Sequence, residues 1–124
     1  SQELIDLPSQ ELGAIPVDKE HIETVREGLR STVVQGSGRR LSYIPVEIAG
    51  KTGTAQWHSE KDPHAWFTSF APYENPEIVV TVLVEEGEEG SKISTQVAED
   101  IYNYWHNRSE EGANLGEEVQ ENIQ

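Results

Sequence analysis

The stretch Ile78-Val79-Val80-Thr81-Val82-Leu83-Val84 restricts the fold more than any other part of this sequence. Every residue but Thr81 is aliphatic, and β-branched side chains favour an extended, pleated backbone. An unbroken apolar run of this kind belongs to a strand covered on both faces, so it predicts a buried strand over 77–85 with material on each side of its sheet. The 124 residues amount to one domain, so few elements are on hand to provide that cover. Glu74-Asn75-Pro76 supplies turn chemistry just before the run. It closes a second strand, His64 to Tyr73, in which Trp66 and Phe70 alternate with smaller residues. A third strand is read from Pro45 to Gln56, and a polar connection follows over 57–63.

Two helical patterns flank the strands. Asp18 follows Pro16 as an N-cap, and Ile22, Val25 and Leu29 recur on one face, predicting a helix over 18–34. Gly28 weakens it by about 1 kcal/mol relative to alanine, and the glycines of QGSGRR at 35–40 end it. Val97, Ile101, Tyr104 and Trp105 form the stripe of a second helix over 94–107, capped by Ser94 or Thr95. Residues 1–17 read as an irregular lead-in. The fold class is α+β: helix, three antiparallel strands with short connections, helix. The 94–107 helix is expected to cover one face of the sheet and the 18–34 helix part of the other.

Charge narrows the function. With 23 acidic and 9 basic residues the net charge is −14, a field that repels nucleic acid, which is therefore not an expected partner. Part of the excess lies in EEGEEG at 85–90 and part after Arg108. The segment 109–124 has no aromatic residue and few aliphatic ones, so the chain divides into a folded part, 1–108, and an acidic tail expected to be disordered. The absence of cysteine excludes a disulfide scaffold, a thiolate nucleophile and a cysteine zinc site. No apolar run approaches the roughly 18 residues of a membrane span. The chain opens on Ser1 without a basic or apolar leader, which suggests a processed or excised piece.

The string IAGKTGTAQ at 48–56 carries the chemistry. Gly50-Lys51-Thr52 looks like the end of a phosphate loop, but that loop needs glycine where Pro45 stands and a helix where Thr52-Gly53-Thr54 is poor helix sequence. The alternative is the K-T-G element of serine acyl-transferases that react with penicillins. On a strand, Lys51 and Gly53 share one face and Thr52 and Thr54 the other. Lys51 offers positive charge to a carboxylate, the threonine hydroxyls can donate to it, and Gly53 leaves room for a ligand backbone. An edge strand would add main-chain pairing with an extended peptide.

The match extends further. GSGRRL, AGKTGTAQ, HAWFTSFAPYENPEIVVTVLVEEG and the closing helix stand in the order and spacing of the C-terminal third of class B penicillin-binding transpeptidase domains. The sequence resembles that family from Gly13 to Trp105, and within it the elongation-type penicillin-binding protein 2 group. The resemblance implies a partial transpeptidase domain of serine β-lactamase-like fold. It implies that Lys51, Thr52 and Gly53 line a groove, and that Thr52 and Thr54 contact the carboxylate of a β-lactam or stem peptide. The Thr54 backbone N–H would form half of an oxyanion hole, and Gln56 and Trp57 would border the groove. The family's S-x-x-K nucleophile and S-x-N motifs do not occur in this sequence; Ser37 begins S-G-R-R and Ser59 begins S-E-K-D. Alone, the chain is expected to be inactive.

Other candidates carry less. His58, Asp62 and His64 could ligate a metal, but their spacing fits a solvated loop better, and no metal or cofactor is expected. Glu85–Glu89 lacks calcium-loop spacing and reads as a charged turn. Trp66, Phe67 and Trp105 fit packing better than a binding platform, and Ser69 and Ser91 lack a base at motif spacing. His21 and His106 read as surface residues. The expected function is part of a peptidoglycan D,D-transpeptidase acting on the extracytoplasmic face of a bacterial inner membrane. The alternative is a non-catalytic module that self-associates, or docks to a complementary N-terminal half, through an exposed sheet edge.

Overall fold

The computed structural model describes residues 10 and 12–121, with side-chain surroundings through Ser109. The order is helix α1 (Lys19–Gln35), a 3-10 turn (Arg39–Tyr43), strands β1 (Ala49–Ala55), β2 (His64–Ala71) and β3 (Ile78–Val84), and helix α2 (Ile93–Glu121). The sheet is antiparallel in the order β1-β2-β3, an α+β arrangement.

Register divides the sheet into two unlike faces. Gly50, Thr52 and Thr54 align with Ser69, Phe67 and Ala65, and these with Val80, Val82 and Val84. This face carries the core: Phe67, Val80 and Val82 pack with Val33 of α1, Ala98 and Tyr102 of α2, and Leu41, Ile44 and Ile48 between them. On the other face Val79 is 70% exposed and Leu83 45%, against 6% for Val80 and 7% for Val82. The apolar run of β3 is thus covered on one side, not two. Both helices contribute to the same core, and α1 reaches the far face through Arg26 near its middle, whose guanidinium lies 5.4 Å from the Phe70 ring centroid.

Each helix packs a face one step round from the apolar stripe. In α1, Ile22 and Val25 are exposed, and the inward residues are Arg26, Leu29, Arg30 and Val33. Arg26 stacks on Tyr73 at 5.0 Å and donates to the Tyr73 carbonyl. Arg30 donates to the Ile48 carbonyl at 2.9 Å and pairs with Glu47 at 3.1 Å. Long aliphatic stems let arginines serve as packing residues while their terminal nitrogens reach carbonyls; the buried Arg26 Nε makes no hydrogen bond among the described residues and has Glu23 at 3.6 Å. Asp18 bounds α1 through its backbone carbonyl, which receives His21 and Ile22, and its side chain makes no cap bond.

In α2 the buried positions are Ser94, Thr95, Ala98 and Tyr102, with Trp105 half-buried, whereas Val97, Ile101 and Tyr104 face outward. Ser94 and Thr95 lie inside the first turn and bond back to the carbonyls of Gly90 and of Ser91 and Lys92. The backbone of α2 continues to Glu121, past the end at 107 set by the stripe and into the acidic segment read from composition as a tail. Glu, Gln and Ala in that segment are good helix formers, although they offer no apolar face.

Candidate functional site

Strand β1 holds AGKTGTA and pairs on one side only, so among the described residues its outer edge is open. Lys51 aligns with Thr68 and Gly53 with Trp66 on the bare face, while Thr52 and Thr54 lie on the helix-packed face. Lys51 is exposed, and its ammonium donates to the Thr52 carbonyl at 2.7 Å. A lysine on a strand, not at the start of a helix, excludes the phosphate-loop geometry. Thr52 is half-buried, its Oγ1 2.7 Å from Ser37 Oγ, and Thr54 is exposed.

The two glycines of the string differ in kind. A Cβ at Gly50 would sit 2.8 Å from the Phe67 ring, 2.7 Å from Ser69 Cβ and 2.8 Å from the Thr68 carbonyl oxygen, so packing demands glycine there. At Gly53 the nearest neighbour is Trp66 Cβ at 3.2 Å, a far milder conflict. A third glycine, which no sequence motif marks, also matters. Gly90, in the loop from β3 to α2, is buried on the backbone of the Gly53–Trp66 pair, where a Cβ would come within 2.4 Å of the Gly53 oxygen and 2.5 Å of the Trp66 oxygen.

The connection from β1 to β2 is closed by its own side chains. The Gln56 amide donates to the carbonyls of His58 and, at 2.9 Å, Lys61. That leaves Gln56 its carbonyl oxygen for any outside partner. The Trp57 indole donates to the Asp62 carbonyl at 3.2 Å, stacks on His64 at 5.1 Å and lies under the Lys61 ammonium at 4.6 Å. Lys61 also pairs with Glu86 at 2.8 Å, and the Glu86 amide donates to His64 Nδ1 at 3.1 Å. His58 Nδ1 accepts from Glu60 N at 3.1 Å. Among the described residues no three His, Asp or Glu side chains converge as a metal site would require. Glu86 and Glu88 take left-handed φ of 52° and 61°, which makes the acidic 85–90 segment a tight turn.

Away from β1, Tyr102 donates to Ser69 Oγ at 3.0 Å, and Ser69 to the Val80 carbonyl at 3.4 Å. Burial pushes the Tyr102 phenol above its ordinary pKa of 10.0, and the Ser69 hydrogen bond offsets part of that rise. Ile78, Ile101, Tyr104 and Trp105 line a shallow apolar hollow of about 400 Å³ beside β3.

A three-stranded sheet with both helices on one face and a lysine-threonine-glycine edge strand belongs to a recognisable class, the penicillin-binding transpeptidases. Residues 3–103 match the penicillin binding protein transpeptidase domain, and the chain belongs to that family. Its similarity extends to the peptidoglycan D,D-transpeptidase MrdA of Haemophilus influenzae, 34% identical over 103 residues, which are 69% of this chain and 16% of that protein. It shares 46% identity over 52 residues with the peptidoglycan D,D-transpeptidase PbpA of Mycolicibacterium smegmatis, 40% of this chain and 10% of that protein. Among solved structures, penicillin-binding protein 2 of Pseudomonas aeruginosa aligns with a TM-score of 0.65 and 35% identity over 74% of this chain and 20% of that one. Penicillin-binding protein 2 of Helicobacter pylori aligns with a TM-score of 0.64 and 31% identity over 74% of this chain and 18% of that one. The resemblance to the penicillin-binding protein 2 group therefore holds in both sequence and structure, and the chain corresponds to part of such a domain.

Proposed function

We propose that this chain supplies the substrate-docking strand of a peptidoglycan D,D-transpeptidase whose S-x-x-K serine and S-x-N motif lie on sequence outside these 124 residues. In the assembled domain an upstream serine attacks the penultimate D-Ala carbonyl of the stem peptide, forming an ester as the peptide bond breaks and the terminal D-Ala leaves with the serine proton on its amine. The acyl group then passes to an amine of a neighbouring strand, and β-lactams trap the serine by mimicking the donor. Lys51 and the hydroxyls of Thr52 and Thr54 receive the ligand carboxylate, the Thr54 N–H stabilises the oxyanion, and Gly53 admits the ligand backbone. Gln56 holds the rim of the groove. A removed oxyanion donor costs about 2.7–4 kcal/mol in other acyl-transfer enzymes. The reaction would take place on the extracytoplasmic face of a bacterial inner membrane; no helix among the described residues is long and apolar enough to cross one.

One observation carries the reading. Gly53 lies on an edge open among the described residues, in a string with an exposed lysine and an exposed threonine, yet the chain's own packing demands glycine there less than at Gly50. The test is to combine the chain with the S-x-x-K- and S-x-N-bearing half of the P. aeruginosa relative's domain and measure covalent labelling by a fluorescent penicillin. Labelling that disappears with Thr54→Pro supports the reading, and a folded complex that takes up no label refutes it.

A second reading rests on the bare face. Val79, Leu83 and Trp66 are 70%, 45% and 36% exposed beside a β3 edge that is unpaired among the described residues, which suits a module that binds its own copy or a complementary half. Sedimentation should then show association that rises with concentration or on addition of the complementary half, and a compact monomer under both conditions would exclude it.

A further inference from the structure

We infer that Ser37 is a positioning residue for the docking strand: its hydroxyl fixes that of Thr52, and the two act as one donor pair toward an anionic carboxylate. The inference rests on the docking-strand reading above and adds to it a residue from outside the K-T-G string.

Ser37 is held with little freedom. The Thr32 carbonyl at the end of α1 accepts both Gly36 N at 3.1 Å and Gly38 N at 3.0 Å, pinning the residues on either side. The position before Ser37 is crowded, and the one after it lies in ordinary packing contact with the core. A Cβ at Gly36 would meet the Thr32 oxygen at 2.9 Å, and one at Gly38 would meet Val33 Cγ2 at 3.4 Å and Phe67 Cε2 at 3.5 Å. The turn is thus clamped over the Phe67 face, the face to which register assigns Thr52. From that turn Ser37 Oγ stands 2.7 Å from Thr52 Oγ1, and no other side-chain hydrogen bond of Thr52 is present among the described residues.

Proton counting shows what the pair can do. Each hydroxyl carries one proton and two lone pairs, and a carboxylate can only accept. When Ser37 donates to Thr52, the Thr52 proton is left for the ligand, and the donation polarises that second bond by roughly 10–30%. Without Ser37, the Thr52 hydroxyl loses both its orientation and this support.

Two measurements test the assignment. In the chain as it stands, nuclear magnetic resonance couplings of Thr52 should report one χ1 rotamer, averaged rotamers in Ser37→Ala, and one rotamer again in Ser37→Thr. In the complex with the upstream half, Ser37→Ala should slow labelling by a fluorescent penicillin by about five-fold and leave labelling by its carboxylate methyl ester unchanged, with Ser37→Thr restoring the rate. A purely structural role would slow both probes equally and overturns the inference, as does a Thr52 rotamer indifferent to Ser37→Ala. If Thr52→Ala slows labelling and Ser37→Ala does not, the inference fails and the docking strand stands. If the wild-type complex takes up no label, the docking-strand reading falls and takes this assignment with it.

Discussion

The two faces of the sheet are made from the same three strands, and β3 brings aliphatic side chains to both. On one face Phe67, Val80 and Val82 lie under two helices and the turn between them; on the other Val79, Leu83 and Trp66 meet solvent. Hydropathy cannot tell these faces apart, because cover depends on where the helices go. The glycines of β1 follow the same division. Gly50 is dictated by the crowded face, Gly53 is spared on the bare one, and the candidate chemistry gathers along the edge where the two faces meet.

The sharpest way to break this comparison is to truncate one residue on each face. Phe67→Ala should cost about 3–5 kcal/mol in urea unfolding, while Leu83→Ala should stay within about 0.5 kcal/mol. Equal losses would show that the bare face is covered in solution. Next come the glycines: Gly50→Ala and Gly90→Ala should each cost about 1–3 kcal/mol, and Gly53→Ala less than about 1 kcal/mol. If the Gly53 variant were as damaged as the Gly50 variant, the case for a ligand-driven glycine would collapse. Tyr102 sharpens the covered side through pH. Its phenol is raised in the folded state, so its stabilisation is complete below pH 10.0 and is lost as pH rises from there toward the folded value. The slope is roughly 1.4 kcal/mol per pH unit in that interval. Tyr102→Phe should flatten that alkaline decline in a series of unfolding midpoints. The smallest effect is expected at the far end: deleting 109–124, the acidic tail of the proposed division at 108, should move stability by no more than about 0.5 kcal/mol.

Element identity was legible from local pattern. Turn residues at 74–76 and glycines at 35–40 separate the elements where the structure separates them, and α1, the three strands and the start of α2 lie within a few residues of their expected bounds. Orientation was less legible. Apolar periodicity pointed to Ile22 and Val25, but Arg26 and Arg30 face the sheet, because an arginine stem packs like a hydrocarbon and its head reaches carbonyls no sequence window can see. Ser94 and Thr95 suggest a cap and instead lie inside the first turn and bond backward to carbonyls of the loop before it. At the site, the K-T-G string and its alternation were readable. From sequence Ser37 reads only as a candidate nucleophile, since its partner lies on another element and its immediate neighbours do not signal Thr52. The GSG spacing after a helix was the available clue, because two glycines flanking one hydroxyl imply a turn held from both sides.

The stack at the end of β1 gives the molecule an optical reporter. Of the three tryptophans, Trp57 alone is sandwiched between an imidazole and an ammonium, His64 at 5.1 Å and Lys61 at 4.6 Å. Its emission should follow small shifts of the loop that closes the rim, while Trp66 on the open sheet and Trp105 on α2 supply a steady background.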